Sequence, residues 1–329
     1  MEAKPKHLFI FNFKTMRKFI VTSVIFGIGL LLMFYIADIV ISKNTRKSTI
    51  PIKPMMEGWN DIYSGSIQSD VVIMGNSRAW VQYSPQILDS ILSMDFYNLG
   101  IDGRTINSQI IKYDTYRRFN KKPKYIIQNI DIVTIDIVTD FQREQFFPYF
   151  FDDSLKTAIS SFENFTIWEK YFPCFRYIGY NDLTRVGLGI IKLPKRPILI
   201  KGYHGNDSKW DGSRIPETEI NYRQDATALS LFDNYLSKAK SENIKVIFVY
   251  SPLHIRAMQK VKNVDGMFLM FDSIAKKYDI PILNYTYDSI SYDTTYFYNA
   301  MHLNKTGAEL FSIKLAHDID SLGILKRDF

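Results

Sequence analysis

Two short stretches hold the residue types that acyl chemistry uses. Gly75-Asn76-Ser77-Arg78-Ala79 sets a serine hydroxyl directly after an apolar run that reads as a strand. Asn299-Ala300-Met301-His302-Leu303-Asn304-Lys305-Thr306-Gly307 sets a histidine directly ahead of the last helix. A serine hydroxyl becomes a nucleophile when an imidazole takes its proton, and a third group on the other ring nitrogen holds the imidazole in place. Backbone N–H groups at a strand-to-helix turn can then face the oxyanion that forms. The competing reading of the first stretch is an ordinary turn in which serine caps a helix.

His302 is one of five histidines. His7 precedes the first apolar segment, His204 lies in a turn-rich stretch, His254 follows a strand, and His317 sits within the last helix beside Asp318. A lone loop histidine is ordinarily a surface or structural group. His302 differs in sharing a sheet edge with the serine turn. No His-x-His or His-Glu-x-x-His spacing occurs, so the reading includes no metal and no cofactor. Cys174 is the single cysteine, which excludes an intramolecular disulfide and a cysteine-based zinc site.

Both stretches need a sheet whose edge brings them together. Five short apolar runs, 70–75 (DVVIMG), 94–100 (MDFYNLG), 124–129 (KYIIQN), 245–250 (KVIFVY) and 280–285 (IPILNY), are too continuous for half-exposed strands. Helical patterns over 105–119, 226–241 and 263–278 separate them, and Ser84-Pro85 opens a further helix through Leu92 with serine as the cap. Asn304 caps a last helix whose Phe311, Leu315, Ile319 and Leu322 share one face. Alternating strand and helix predicts an α/β three-layer sandwich around a doubly wound, mostly parallel five-stranded sheet. The alternation breaks between about 137 and 223, where Phe146, Phe147, Tyr149, Phe150, Trp168 and Phe172 crowd together. This stretch reads as an insertion, either a sugar-stacking surface or a packed cap.

The formal net charge is +7, and residues 1–53 carry all of it, with nine basic and two acidic side chains. The rest of the chain is formally neutral, which argues against nucleic acid as a partner. Within the basic stretch, residues 19–37 form a 19-residue run without a charge. As a helix this run is roughly 28 Å long, the thickness of a hydrocarbon core. The expected organisation is a short basic tail at 1–18, an uncleaved transmembrane anchor at 19–41, a connector at 42–68 and an α/β domain at 69–329. The bilayer is thus one partner. The expected localisation is a single-pass membrane protein with the C-terminal domain exported, periplasmic or extracellular.

Taken together, the serine and histidine blocks resemble those of the SGNH (GDSL-like) hydrolase superfamily, over most of residues 69–140 and 240–320. The resemblance implies a flavodoxin-like sheet, with Ser77 as nucleophile and His302 as its base. Gly100, in Asn98-Leu99-Gly100-Ile101-Asp102-Gly103, and Asn129, in Gln128-Asn129-Ile130-Asp131, match the oxyanion-hole positions, with the Arg78 N–H as a further donor. Membrane-anchored proteins of this kind add or remove acyl groups on envelope or secreted polysaccharides, which implies a polysaccharide or acyl-sugar substrate and a membrane acyltransferase as a possible partner.

The chain departs from the family pattern at Asn299, which stands where the family has an aspartate three residues before the histidine. An amide oxygen orients an imidazole without stabilising the imidazolium as a carboxylate does. Asp131, another acid or a backbone carbonyl are alternatives for the orienting group, and a Ser–His dyad is another. Arg78 either pairs with an anionic substrate group or is solvated or salt-bridged. The reading is therefore a serine-dependent esterase or O-acyltransferase. Its rival is a degenerate hydrolase fold that binds glycan or assists a membrane acyltransferase.

Overall fold

The structure is a computed structural model and describes residues 13–47, 56–102, 106–136, 143–190, 199–215 and 219–325. The chain divides into two compact units, Ser48–Asn164 with Leu193–Phe329, and Met1–Lys47 with Phe165–Lys192.

The larger unit is built on five parallel strands, β1 (Val71–Met74), β2 (Phe96–Asn98), β3 (Tyr125–Asn129), β4 (Lys245–Tyr250) and β5 (Ile282–Asn284). Each of the five apolar runs supplies one strand. Their spatial order is β2-β1-β3-β4-β5, with Val71 opposite both Phe96 and Tyr125, and Tyr125 opposite Lys245. Every residue of β1 and β3 is buried, as a sheet covered on both faces requires. From β1 the chain first winds to one side, to β2, and then returns to the other, to β3. Between β1 and β3 the connections therefore leave in opposite directions, opening a crevice beyond the strands' carboxyl ends. Ser77 follows β1 and Asn129 ends β3, so the topology alone delivers both to this crevice.

Alternation along the strands divides the core into two layers. On one face Val71, Ile73 and Ile127 pack with Leu88 and with Phe311 and Leu315 of the terminal helix, Lys305–Ser321. On the other, Phe248 lies 5.7 Å from Phe232 and 6.2 Å from Phe271, measured between ring centroids, which anchors the helices Ala226–Ser241 and Val264–Tyr278. Each such side chain contributes on the order of 1.5–3 kcal/mol by leaving water.

Several details depart from expectation. Ser84 occupies the N-cap ahead of Pro85, but its side chain makes no capping bond; instead its N–H donates to Ser312 Oγ at 2.9 Å. Leu322 is exposed rather than on the buried face of the terminal helix, which ends one residue earlier. The stretch 137–223 does not form one body. Residues 143–164 belong to the larger unit, where Phe146 and Tyr149 pack on Trp59 of the helix Met56–Ser64 at 5.5 and 6.0 Å. These rings are buried, so they form core and offer no sugar-stacking face. Residues Phe165–Lys192 belong to the other unit. Positions 137–142, 191–198 and 216–218 of this stretch lie outside the described residues, as do 1–12 of the tail and 48–55 of the connector.

In the smaller unit the 35-residue helix Phe13–Lys47 is, among the described residues, the one long and apolar enough to cross a membrane. It continues past the expected end at residue 41 into the connector.

Phe311 meets Tyr83 and Tyr285 edge-on, at 5.2 and 5.1 Å, and is fully buried. Phe311→Ala is expected to cost about 3–5 kcal/mol of stability through lost transfer energy and an unfilled cavity, read as a lowered urea midpoint. An unchanged midpoint would contradict this packing.

Candidate active site

The serine turn depends on Gly75. Its φ is +149°, and a Cβ there would lie 2.6 Å from Ala79 Cβ and 2.9 Å from Asn129 Cβ. Only glycine lets the chain leave β1 this close to the end of β3. Asn76 then caps the short helix Ser77–Gln82, its Oδ1 accepting the Arg78 N–H at 3.0 Å. Its Nδ2 donates to Asp131 Oδ2 at 2.6 Å, tying the serine turn to the segment after β3. Ser77 itself is half-buried at the mouth of the crevice.

A short antiparallel pair, Phe297–Asn299 with His302–Leu303, brings the histidine across. Ser77 Oγ lies 2.8 Å from His302 Nε2, and His302 Nδ1 lies 3.0 Å from Asn299 Oδ1. The Oδ1 atom also accepts the Met301 N–H at 2.9 Å, which fixes the amide's orientation. An amide oxygen can only accept, so Nδ1 carries the ring proton and Nε2 offers its lone pair to the serine hydroxyl. This tautomer suits a general base. The Tyr298 ring stacks on the imidazole at 5.3 Å, nearly parallel to it at 8°.

Burial, with the nearby Arg78 guanidinium adding to it, pulls His302 down from 6.5 to about 4. A carboxylate at position 299 would oppose this shift, and the amide does not. The ring is therefore neutral at pH 7, able to accept a proton but weakly basic.

Arg78 is a buried structural charge. Its Nη2 donates to the Ser251 carbonyl, its guanidinium lies over the Tyr250 ring at 4.7 Å, and Nη1 is 3.8 Å from Asp131. With 3% of the side chain exposed, it is not a solvated arginine, and its Nε and Nη1 have no hydrogen-bond partner. Asp131 is likewise engaged with Asn76, Arg78 and the Val133 N–H, so the group that orients His302 is Asn299 and not Asp131.

Of the three expected oxyanion donors, two are already bonded within their turns. The Arg78 N–H goes to Asn76, and the Gly100 N–H donates to Asn98 Oδ1 at 2.8 Å. Asn129 is different. Tyr83 donates its hydroxyl to Asn129 Oδ1 at 2.7 Å and Ser251 Oγ lies 2.8 Å from the same atom, while the buried Nδ2 has no partner. A buried amide donor without an acceptor is costly, and a developing oxyanion would satisfy it. The Ser77 N–H, at the first position of its helix, has no intrahelical acceptor and is a second candidate, one of the backbone N–H groups of the strand-to-helix turn.

Gly100 shapes the site in another way. A Cβ there would lie 2.4 Å from the Trp80 backbone nitrogen, so glycine lets the turn after β2 press on the serine helix. Lys112 Nζ donates to the Gly100 carbonyl at 2.9 Å, and burial pulls this lysine down to about 7. Gly103 of the same motif lies outside the described residues. Tyr83, Ser251 and Lys112 were not legible as site residues, although Ser251 directly follows β4 at the ligand edge. Among the described residues no three His, Cys, Asp or Glu side chains converge as metal ligands.

Solved structures provide a distant comparison. One is a GDSL-like lipase of Bacteroides thetaiotaomicron, at 12% identity and a TM-score of 0.38, covering 82% of this chain and 98% of that one. Another is a provisionally assigned acylhydrolase of Bacteroides fragilis, at 14% identity and a TM-score of 0.35, covering 80% and 96%. No protein-family model and no curated protein matches. The chemical case for the site is the geometry around Ser77.

A base that must be neutral to work loses activity only when it takes up a proton. The rate with an ester substrate is therefore expected to hold from pH 7 to about 5 and to fall below about 4, where His302 protonates. An acid limb near the ordinary 6.5 in a pH profile of kcat/KM would contradict this environment. Linkage has the same sign: the unfolded chain takes up this proton near 6.5 and the folded chain near 4, so acidification through that window favours unfolding.

Proposed function

We propose that the protein is a membrane-anchored serine acyl-ester enzyme of the SGNH type, an esterase or O-acyltransferase acting on acetyl-like groups of an envelope or secreted polysaccharide. The observation that carries this reading is the 2.8 Å contact between Ser77 Oγ and His302 Nε2, with Nδ1 held by Asn299.

In the first half-reaction Ser77 Oγ attacks the ester carbonyl carbon and its proton passes to His302 Nε2. The carbonyl oxygen becomes an oxyanion facing Asn129 Nδ2 and the Ser77 N–H. Collapse breaks the bond to the leaving alkoxide, which takes the proton from His302 and leaves an acyl-serine. In the second half-reaction His302 deprotonates water or a sugar hydroxyl, which attacks the acyl-serine; the acyl–Oγ bond breaks, Ser77 Oγ takes the proton back from His302, and an acid or an acylated sugar leaves. Asn299 accepts the Nδ1–H throughout. The anchor supports a substrate at the membrane surface, with the C-terminal domain exported.

Asn299 also favours the rival reading, a fold that has kept the constellation and lost turnover. Hydrogen bonds to charged groups are worth about 1.5–3 kcal/mol against about 1 for neutral ones, so an aspartate would stabilise the imidazolium by a further ~1.4 kcal/mol, about tenfold in rate. With p-nitrophenyl acetate and acetylated glycans, Ser77→Ala is expected to lower turnover by about 10³-fold or more. Asn299→Asp is expected to raise it about tenfold. Turnover that survives Ser77→Ala overturns the serine mechanism. No turnover in either the native chain or Asn299→Asp supports the non-enzymatic reading.

A further inference from the structure

The smaller unit contains an apolar surface that the proposed chemistry does not use. Residues 165–190 pack along the C-terminal part of the Phe13–Lys47 helix through a buried polar cluster. Arg176 makes two bonds to Asp38, at 2.5 and 2.7 Å, the Cys174 N–H donates to Asp38 Oδ2 at 2.6 Å, and Tyr177 OH lies 2.8 Å from Ser42 Oγ. Gly187 presses on Ile41, where a Cβ would fall 2.6 Å from Cγ2, and Asn44 donates to the Gly187 carbonyl. A charge on a membrane helix is expensive unless paired, and this segment pairs Asp38.

The outward side of the same segment is apolar. Ile167, Trp168, Tyr171, Ile178 and Ile190 are 68%, 57%, 71%, 67% and 65% exposed. This patch is continuous with the apolar part of the helix, because Phe172 meets Phe34 at 6.4 Å and Trp168 packs on Phe172 at 5.7 Å. Phe34 lies four residues before Asp38, which ends the uncharged run. At 1.5 Å per residue it is therefore about 6 Å inside that boundary, the depth at which interfacial apolar side chains sit. The same unit exposes Trp168 and Tyr171 together with Lys43, Lys47 and Arg185, residue types that favour the level of anionic headgroups.

We propose that residues 165–190 form a collar seated in the membrane interface at the C-terminal end of the anchor, with Ile167, Trp168, Tyr171 and Ile178 among the acyl chains just below the headgroups. The occupant of the patch is lipid. The inference rests on the reading of the Phe13–Lys47 helix as a membrane span and adds a second attachment to it. The chain then meets the bilayer through the anchor and again through residues 165–190.

The test uses the full chain reconstituted in phosphatidylcholine–phosphatidylglycerol vesicles whose acyl chains are brominated near the headgroup. Brominated lipid is expected to quench Trp168 emission about twofold, as for a ring at interfacial depth, and Trp168→Phe is expected to remove that quenched component while the other tryptophans stay unaffected. Ile28→Trp, placed in the Trp168→Phe chain and read in vesicles of lipid brominated near the ends of its acyl chains, reports on the anchor separately, since residue 28 lies about 15 Å from Asp38 along the helix. Quenching at position 28 without quenching of Trp168 overturns the collar and leaves the anchor standing. Quenching at neither position overturns both.

Discussion

The contact between Ser77 and His302 joins groups 225 residues apart, and the rest of the α/β unit can be understood as what holds them at 2.8 Å. Reversal of the chain between β1 and β3 opens the crevice, Gly75 lets the serine turn start against Asn129, and Asn76 ties that turn to Asp131. From the other side, Asn304 caps the terminal helix and accepts the Gly307 N–H at 3.0 Å, fixing the short pair that carries His302. Phe311 buries that helix against the sheet face below β1. Loss of any of these holds would be felt at the serine, because a misplacement of an ångström in such a relay costs rate steeply.

Asn299 splits two roles that a carboxylate performs together. Its oxygen selects the tautomer and aims the ring, so the geometry of a base is complete. It supplies no negative charge, so His302 sits in a buried place beside the Arg78 cation with nothing to stabilise its protonated form. Low basicity follows from those two facts, and a base of this strength is reset easily while accepting its proton with less driving force. Asn129, its oxygen held by Tyr83 and Ser251 and its nitrogen free, is the complementary feature: a buried donor without an acceptor, which the proposed oxyanion would satisfy.

Much of this was legible in the sequence. The five strands coincide with five apolar runs because a parallel sheet buried on both faces demands continuous hydrophobic stretches. Ser77 and His302 were legible because each adjoins the carboxyl end of a strand or the start of a capped helix, where side chains face the ligand edge. The fate of the Arg78 and Gly100 N–H groups was hidden, since the side chains that accept them, Asn76 and Asn98, compete only once the turns have closed. The division of the insertion between two units was hidden for a related reason. Composition shows that its aromatics are apolar but cannot say which surface they meet, and the division at Phe165 assigns Phe146 and Tyr149 to the core and Phe172 to the anchor. Asp38 likewise marks the end of the uncharged run in sequence, while its partner Arg176 lies 138 residues away.

The central claim is that Ser77 is an activated nucleophile, and labelling of the full chain with a fluorophosphonate, followed by peptide mass mapping, tests it most directly. The account predicts a single adduct on Ser77 that disappears in His302→Ala. An intact Ser77 after exposure to the reagent, or an adduct that persists without His302, would contradict it.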